Sequence, residues 1–160
     1  VPHHAMSGGT LVALAADEIV MCDHSVLGPI DPQVNQYPAA SILAAVQAKP
    51  VAELDDETLI LADVGRKALS QVMRAATELL AVRMPPGEAA ALAEKLASGT
   101  WTHDYPIPAA EAKALGLPVS TDMPEDVLTL MTLYPQPVRQ SGGVEYLPVP
   151  REQPGKLRRR

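Results

Sequence analysis

Pro2-His3-His4-Ala5-Met6-Ser7-Gly8-Gly9-Thr10, running straight into Leu11-Val12-Ala13-Leu14-Ala15-Ala16, is the stretch on which the fold turns. An extended approach ends at a hydroxyl, two residues without side-chain bulk follow, and a run of small and aliphatic residues then reads as a helix. A serine on such a strand-to-helix turn can expose its Oγ, with the N–H groups after it directed where an oxyanion forms. Glycines permit the turn and let a substrate carbonyl come close to the backbone. The same residues also describe a plain helix start, with Ser7 as N-cap and Gly8-Gly9 as a packing turn. Local sequence leaves both readings open.

Before this junction, residues 1–6 read as a short strand, and Pro2 restricts it to a strand start or an edge. Residues 7–16 read as a buried helix, because no polar face is present. Residues 18–22 and 25–30 form short strands around a hairpin-like turn at Asp23-His24, the second strand ending at Gly28-Pro29. Residues 31–38 read as loop, and residues 39–48 as a helix closed by Lys49-Pro50. Asp55-Asp56-Glu57 places negative charge at the start of the longest helix, residues 57–83. Its apolar stripe is Leu61, Val64, Ala68, Leu69, Val72, Met73, Ala76 and Leu80 at 3/4 spacing. Pro85-Pro86-Gly87 ends that helix, and residues 88–97 form the next. Residues 108–115 make a short helix stopped by Gly116 at its C-terminal side. Residues 124–134 make a last amphipathic helix with Val127, Leu128, Leu130, Met131 and Tyr134 inward. Beyond Pro135 the composition turns to Pro, Gly and Arg, the signature of an extended or disordered tail.

Composition narrows the function classes. At 160 residues the chain is one domain's worth, and 47% apolar residues suffice for a core. Aromatics are only 3% and Phe is absent, so aliphatic residues must fill the interior and no base-stacking surface is expected. The net charge of −6 is uneven: Arg139, Arg151, Lys156, Arg158, Arg159 and Arg160 make the tail basic, and the body before it is strongly acidic. That acidity argues against a phosphate-backbone partner, so no nucleic acid is expected. Cys22 is the only cysteine, which excludes an intrachain disulfide and a thiolate zinc site. His3 and His4 are adjacent and cannot both reach one ion from a strand, so no metal site and no cofactor is expected. No apolar run approaches a membrane span.

The residues from Ser7-Gly8-Gly9-Thr10 through Ala15-Ala16-Asp17-Glu18-Ile19-Val20-Met21 to Leu27-Gly28-Pro29-Ile30-Asp31-Pro32-Gln33 closely resemble the serine dehydrogenase proteinase family. That family lies in the Clp-protease/crotonase-like superfamily and is related to signal peptide peptidase A. The resemblance continues through Trp101-Thr102-His103-Asp104-Tyr105-Pro106, Leu115-Gly116-Leu117 and Tyr134-Pro135-Gln136-Pro137. His4 stands where the family commonly has Tyr, a change expected to alter pocket lining more than chemistry. The resemblance implies an α/β fold, a spiral of strand-strand-helix units truncated at its N-terminal side. It implies a peptidase domain over residues 1–138 followed by the tail, residues 139–160. The part preceding Val1 is expected to hold further strands, one side of the oxyanion hole and, as is frequent in such proteins, a membrane anchor; a parent without the anchor is expected in the cytoplasm. A homo-oligomer acting on a peptide or protein substrate is also implied.

A serine hydroxyl is a weak nucleophile and needs a base within hydrogen-bond reach. In Clp-type peptidases a histidine stands on the turn beyond the next strands. Here that region is Pro29-Ile30-Asp31-Pro32, without histidine. His24 falls short of it, and only one of His3 and His4 could line the cleft. Signal peptide peptidases use a serine–lysine dyad whose amine is made neutral by burial. Two lysines qualify by the resemblance: Lys49, in the loop before the long helix, and Lys67, inside that helix. Lys67 could equally pair with Asp63 on a solvated face, and Lys49 could be an ordinary surface lysine. Asp104, counted back from Gly116-Leu117, falls where Clp peptidases carry the third triad member; it could orient a base or merely hold its turn.

The expected chemistry is therefore serine-dependent peptide hydrolysis, with Ser7 as nucleophile, Lys49 or Lys67 as base, and the Gly8 N–H as half of an oxyanion site. Gly9 and His4 are expected to line the substrate path. An inert oligomeric or membrane-organising scaffold of the same fold is the alternative. Acyl-coenzyme A chemistry fits the Ser-Gly-Gly-Thr turn poorly.

Overall fold

The computed structural model describes residues 1–134, and the tail expected over residues 139–160 lies outside them. The fold is mixed α/β, with six α-helices and three small sheets among the described residues. Strand β1 (His4–Ala5) leads into α1 (Gly8–Leu14), followed by β2 (Ile19–Val20) and β3 (Val26–Leu27). Strands β4 (Gln33–Val34) and β5 (Tyr37–Pro38) make a small hairpin before α2 (Ala39–Gln47). The long helix α3 (Asp56–Leu80) is followed by α4 (Pro86–Ala97). Strand β6 (Ile107–Pro108), α5 (Ala109–Ala114), β7 (Val119–Ser120) and α6 (Glu125–Thr132) complete the described chain.

Strand direction decides what meets what. In the three-stranded sheet β3 is central, parallel to β1 and antiparallel to β6. Residues following β1, residues following β3 and residues preceding β6 therefore gather at one end of this sheet. Strand β2 pairs in parallel with β7 in a separate sheet. The turn at Asp23-His24 is thus not a hairpin, as the pattern suggested: the strands on its two sides find partners distant in sequence. The loop expected over residues 31–38 contains the β4–β5 hairpin. Asn35 and Gln36 both take positive φ, the geometry of a two-residue hairpin turn, but Gln-bearing turns lack the usual Asn-Gly signal.

The core is aliphatic, as the missing Phe requires. Met21, Leu27, Ile30 and Ile107 from the strands and their ends meet Ala76, Leu80, Leu92, Ala93 and Leu96 from α3 and α4. Burying each large aliphatic side chain contributes about 1.5–3 kcal/mol. Asp55 caps α3, accepting the Thr58 N–H at 2.7 Å. Two apolar faces differ from expectation. Helix α1 buries Thr10 and Leu14 but leaves Val12 75% exposed, so it is one-sided rather than enclosed. In α6, Leu128 and Leu130 are exposed, as is Tyr134 just beyond it, while Val127 and Met131 are half-buried. On α3, Val64 is also exposed, and the residues turned inward near its start are Ala62 and Gly65. A Cβ on Gly65 would lie 3.3 Å from the Ala39 Cβ, so small residues set the close approach of α2 to α3. No helix among the described residues is long and apolar enough to cross a membrane.

Candidate active site at the turn between β1 and α1

Ser7 holds φ 51 and ψ −116 between β1 and α1. Among the described residues, Asn35 and Gln36 are the other non-glycines at positive φ, and the hairpin turn accounts for both. Ser7 takes the first central position of a II′-type turn, closed by the Gly9 N–H donating to the Met6 carbonyl at 2.8 Å. That position favours glycine, and a non-glycine held there costs about 1–3 kcal/mol that the surroundings must offset. Nor does its side chain cap the helix: the hydroxyl accepts no N–H of the first turn. The N-cap reading of Ser7 therefore fails in its defining bond, and the half-buried hydroxyl is left for other use.

Thr10 offsets the strain. It is fully buried, with Oγ1 2.7 Å from the Ala5 carbonyl and 2.8 Å from the Gly28 carbonyl. Its single proton can serve one of these at a time, while Oγ1 accepts the Gly28 N–H at 3.2 Å. One threonine thus ties the end of β1 to the end of β3, on either side of Ser7. Gly28 leaves room for Met6: a Cβ there would lie 2.5 Å from the Met6 Cε and 3.3 Å from the Met6 Cα, so the Met6 side chain would have to move aside. Behind Ser7, Gly8 is exposed, and a methyl on it would meet nothing within 4 Å. Its N–H makes no hydrogen bond among the described residues. Gly9 and His4, the expected lining residues, are also exposed.

At the same end of the sheet the chain builds a second polar feature. Asp31 follows β3 by four residues and is only 1% exposed. Its Oδ1 lies 2.8 Å from the Nδ1 of His103, and its Oδ2 accepts the Gln33 Nε2–H at 2.7 Å. His103 precedes β6 by four residues and keeps 37% of its side chain in solvent. Its turn is braced by stacking: the Trp101 and Tyr105 rings lie 5.2 Å apart and 6° from parallel. Lys95 sits over Trp101 at 5.2 Å, and the Tyr105 hydroxyl donates to Glu111 at 3.2 Å. Loss of solvent, and then the Glu111 charge, push the Tyr105 phenol above its ordinary range, which keeps it a donor.

The other anticipated residues are placed differently. Lys67 points into solvent and pairs with Asp63 one helical turn back, and Lys49 is exposed after α2. A base amine needs desolvation, and among the described residues nothing covers either amine. Asp104 is exposed and makes no side-chain hydrogen bond or ion pair among the described residues. Its neighbour His103 has the buried partner instead. Sequence reasoning found no histidine in Pro29-Ile30-Asp31-Pro32 and placed Asp104 at the third triad position. It missed the contact between Asp31 and His103, which lie 72 residues apart.

The sequence pattern of the family described as ClpP-like SDH-type serine proteinase matches residues 1–158. The uncharacterized protein MJ0137 of Methanocaldococcus jannaschii is 56% identical over 153 residues, covering 96% of this chain and 54% of that protein. The uncharacterized protein MJ1495 of the same organism is 51% identical over 150 residues, covering 94% of this chain and 51% of that protein. The chain thus spans about half the length of these relatives. No solved structure matches it.

Proposed function

We propose, for a chain that belongs to the ClpP-like SDH-type serine proteinases, that it hydrolyses peptide bonds with Ser7 as the nucleophile. The observation that carries this reading is the strained Ser7 backbone with its uncapping hydroxyl. Strain of this kind is retained where it presents a side chain that unstrained geometry would turn away. Family membership supplies the reaction class. Ser7 Oγ attacks the carbonyl carbon of an extended peptide lying along the exposed His4, Gly8 and Gly9. The unpartnered Gly8 N–H donates to the oxygen as it becomes an oxyanion. One such donor contributes about 3–4 kcal/mol to the transition state, and a second is expected from outside the described residues. The parallel pairs β1–β3 and β2–β7 suit one part of a strand-strand-helix spiral, and the exposed outer side of α1 suits cover by the remainder of that spiral or by a second copy.

The test is Ser7→Ala in the full-length protein, with fluorescent casein as substrate and a fluorophosphonate as active-site label. The expected result is loss of labelling and a fall in turnover of about 10⁶-fold. Unchanged turnover overturns the peptidase reading. A wild-type protein that neither labels nor turns over makes the chain an inert scaffold of the same fold.

A further inference from the structure

We infer that His103 is the general base for Ser7 and that Asp31 positions it, giving a triad in the chain order Ser7, Asp31, His103. The inference rests on the reading of Ser7 as nucleophile and adds the groups that activate it. Three independent features of the structure converge on it.

The first is topology. Ser7 follows β1 by two residues and Asp31 follows the parallel strand β3, so both leave the sheet at the same end. Strand β6 runs the other way, so His103, which precedes it, enters at that end as well. His24 precedes β3 and sits at the opposite end, and His3 precedes β1. His4 lies within β1 and is exposed along the proposed peptide path, so among the histidines of the connecting segments His103 is the one that the sheet delivers to the Ser7 side.

The second is the state of the pair. Asp31 is buried, and both its oxygens are engaged, by His103 Nδ1 and by Gln33 Nε2. A carboxylate accepting at Nδ1 holds the proton on that nitrogen and leaves the Nε2 lone pair as the basic site. The imidazole keeps a third of its surface in solvent, so the free nitrogen remains approachable. A purely structural ion pair would not need its histidine left open on one side.

The third is the cost of holding the turn. The chain has five aromatic residues, one Trp and four Tyr, and two of them flank His103 in a parallel stack. Lys95 and Glu111 fasten the two rings at either side. In a protein so poor in aromatics, this brace goes to the segment that carries His103.

The proton balance closes without any further reactant than water. As Ser7 Oγ bonds to the substrate carbonyl carbon, its proton passes to His103 Nε2, and the imidazolium is stabilised by Asp31. His103 returns that proton to the amine as the carbon–nitrogen bond breaks, leaving the acyl-enzyme. Water then attacks the ester, giving one proton to Nε2, and that proton returns to Ser7 Oγ as the acid leaves.

The experiment compares His103→Ala, Asp31→Asn, Lys49→Ala and Lys67→Ala in the full-length protein for casein turnover and fluorophosphonate labelling. His103→Ala is expected to slow both by about 10³-fold, with partial recovery on adding free imidazole. Asp31→Asn is expected to lower kcat by about 10³- to 10⁴-fold with KM little changed, which general misfolding would not produce. Asp31 is buried, so a second measurement uses the unmutated protein: labelling Ser7 with the fluorophosphonate should shift the His103 ring resonances and leave those of His24 in place. Wild-type labelling in His103→Ala overturns the inference. So does an unmoved His103 resonance, or a loss confined to Lys49→Ala or Lys67→Ala. In each of those cases Ser7→Ala remains inactive and the peptidase reading stands.

Discussion

At the end of the three-stranded sheet where β1 turns into α1, an elbow in the chain, Ser7 is strained, and Thr10 and Asp31 are buried with their polar atoms fully engaged. Across the molecule, α3 runs for 25 residues with an Asp55 cap, an acidic first turn and exposed ion pairs from Asp63 to Arg66 and Lys67. Apart from Gly65, where the close approach of Ala39 favours a small residue, the helix follows the local preferences of its residue types. The elbow breaks several and offsets the cost through long-range hydrogen bonds. That contrast supports the proposed site: a chain that is locally consistent nearly everywhere tolerates inconsistency where a side chain must be presented. The exposed ion pairs of α3 contribute little, because solvent screens them. The buried bonds of Thr10 are worth more, because an orphaned carbonyl there has no water to turn to.

The sharpest separation of the two regions comes from damaging each at its tightest contact. Gly65→Val forces a branched side chain against Ala39 and is expected to cost about 1–3 kcal/mol of stability with kcat unchanged. Thr10→Val removes the tie between β1 and β3 and is expected to cost a similar 1–3 kcal/mol. It should also lower kcat about tenfold, because Ser7 loses its fixed position. Denaturant melts beside casein turnover check both; equal kinetic effects would erase the distinction.

A smaller effect of opposite sign is expected at the proposed nucleophile. Ser7→Gly relieves the positive φ and should raise stability by about 1 kcal/mol while abolishing turnover. A less stable Ser7→Gly protein would mean that the backbone there is not strained.

The smallest effect belongs to the helix. The Thr58 N–H, and then its hydroxyl, hold the Asp55 carboxyl below the usual aspartate range. A carboxylate lowered in the folded state contributes above its unfolded pKa, and that contribution fades as pH falls through the folded value. The Tm of Asp55→Ala should therefore trail the wild type at neutral pH and rejoin it in acid, with turnover unaffected. A gap independent of pH would remove the charge from the explanation.

Much of the regular structure was legible. The 3/4 spacing and punctuation around α2, α3, α4 and α5 placed these helices within a few residues, and Gly116 takes the positive φ expected after α5. The elbow was legible as a small-residue turn, though not as a strained one. Less legible were faces. The outer side of α1 and the apolar residues of α6 look like core in the sequence, yet Val12, Leu128 and Leu130 stand in solvent among the described residues. Hydrophobicity says that a residue favours burial; it does not say what covers it.

The identity and order of the motifs, an aliphatic core without Phe, and a serine followed by two glycines were settled by the sequence itself, since each depends on neighbours a few positions apart. The partnership of Asp31 with His103 was decided by tertiary structure. The two are separated by 72 residues, and no local rule couples them. They meet because β6 runs antiparallel to β3 and brings its approach to the end where β1 and β3 both finish. Strand direction is a property of the packed sheet, set by what each strand buries against its neighbours, and a chain read one residue at a time does not contain it.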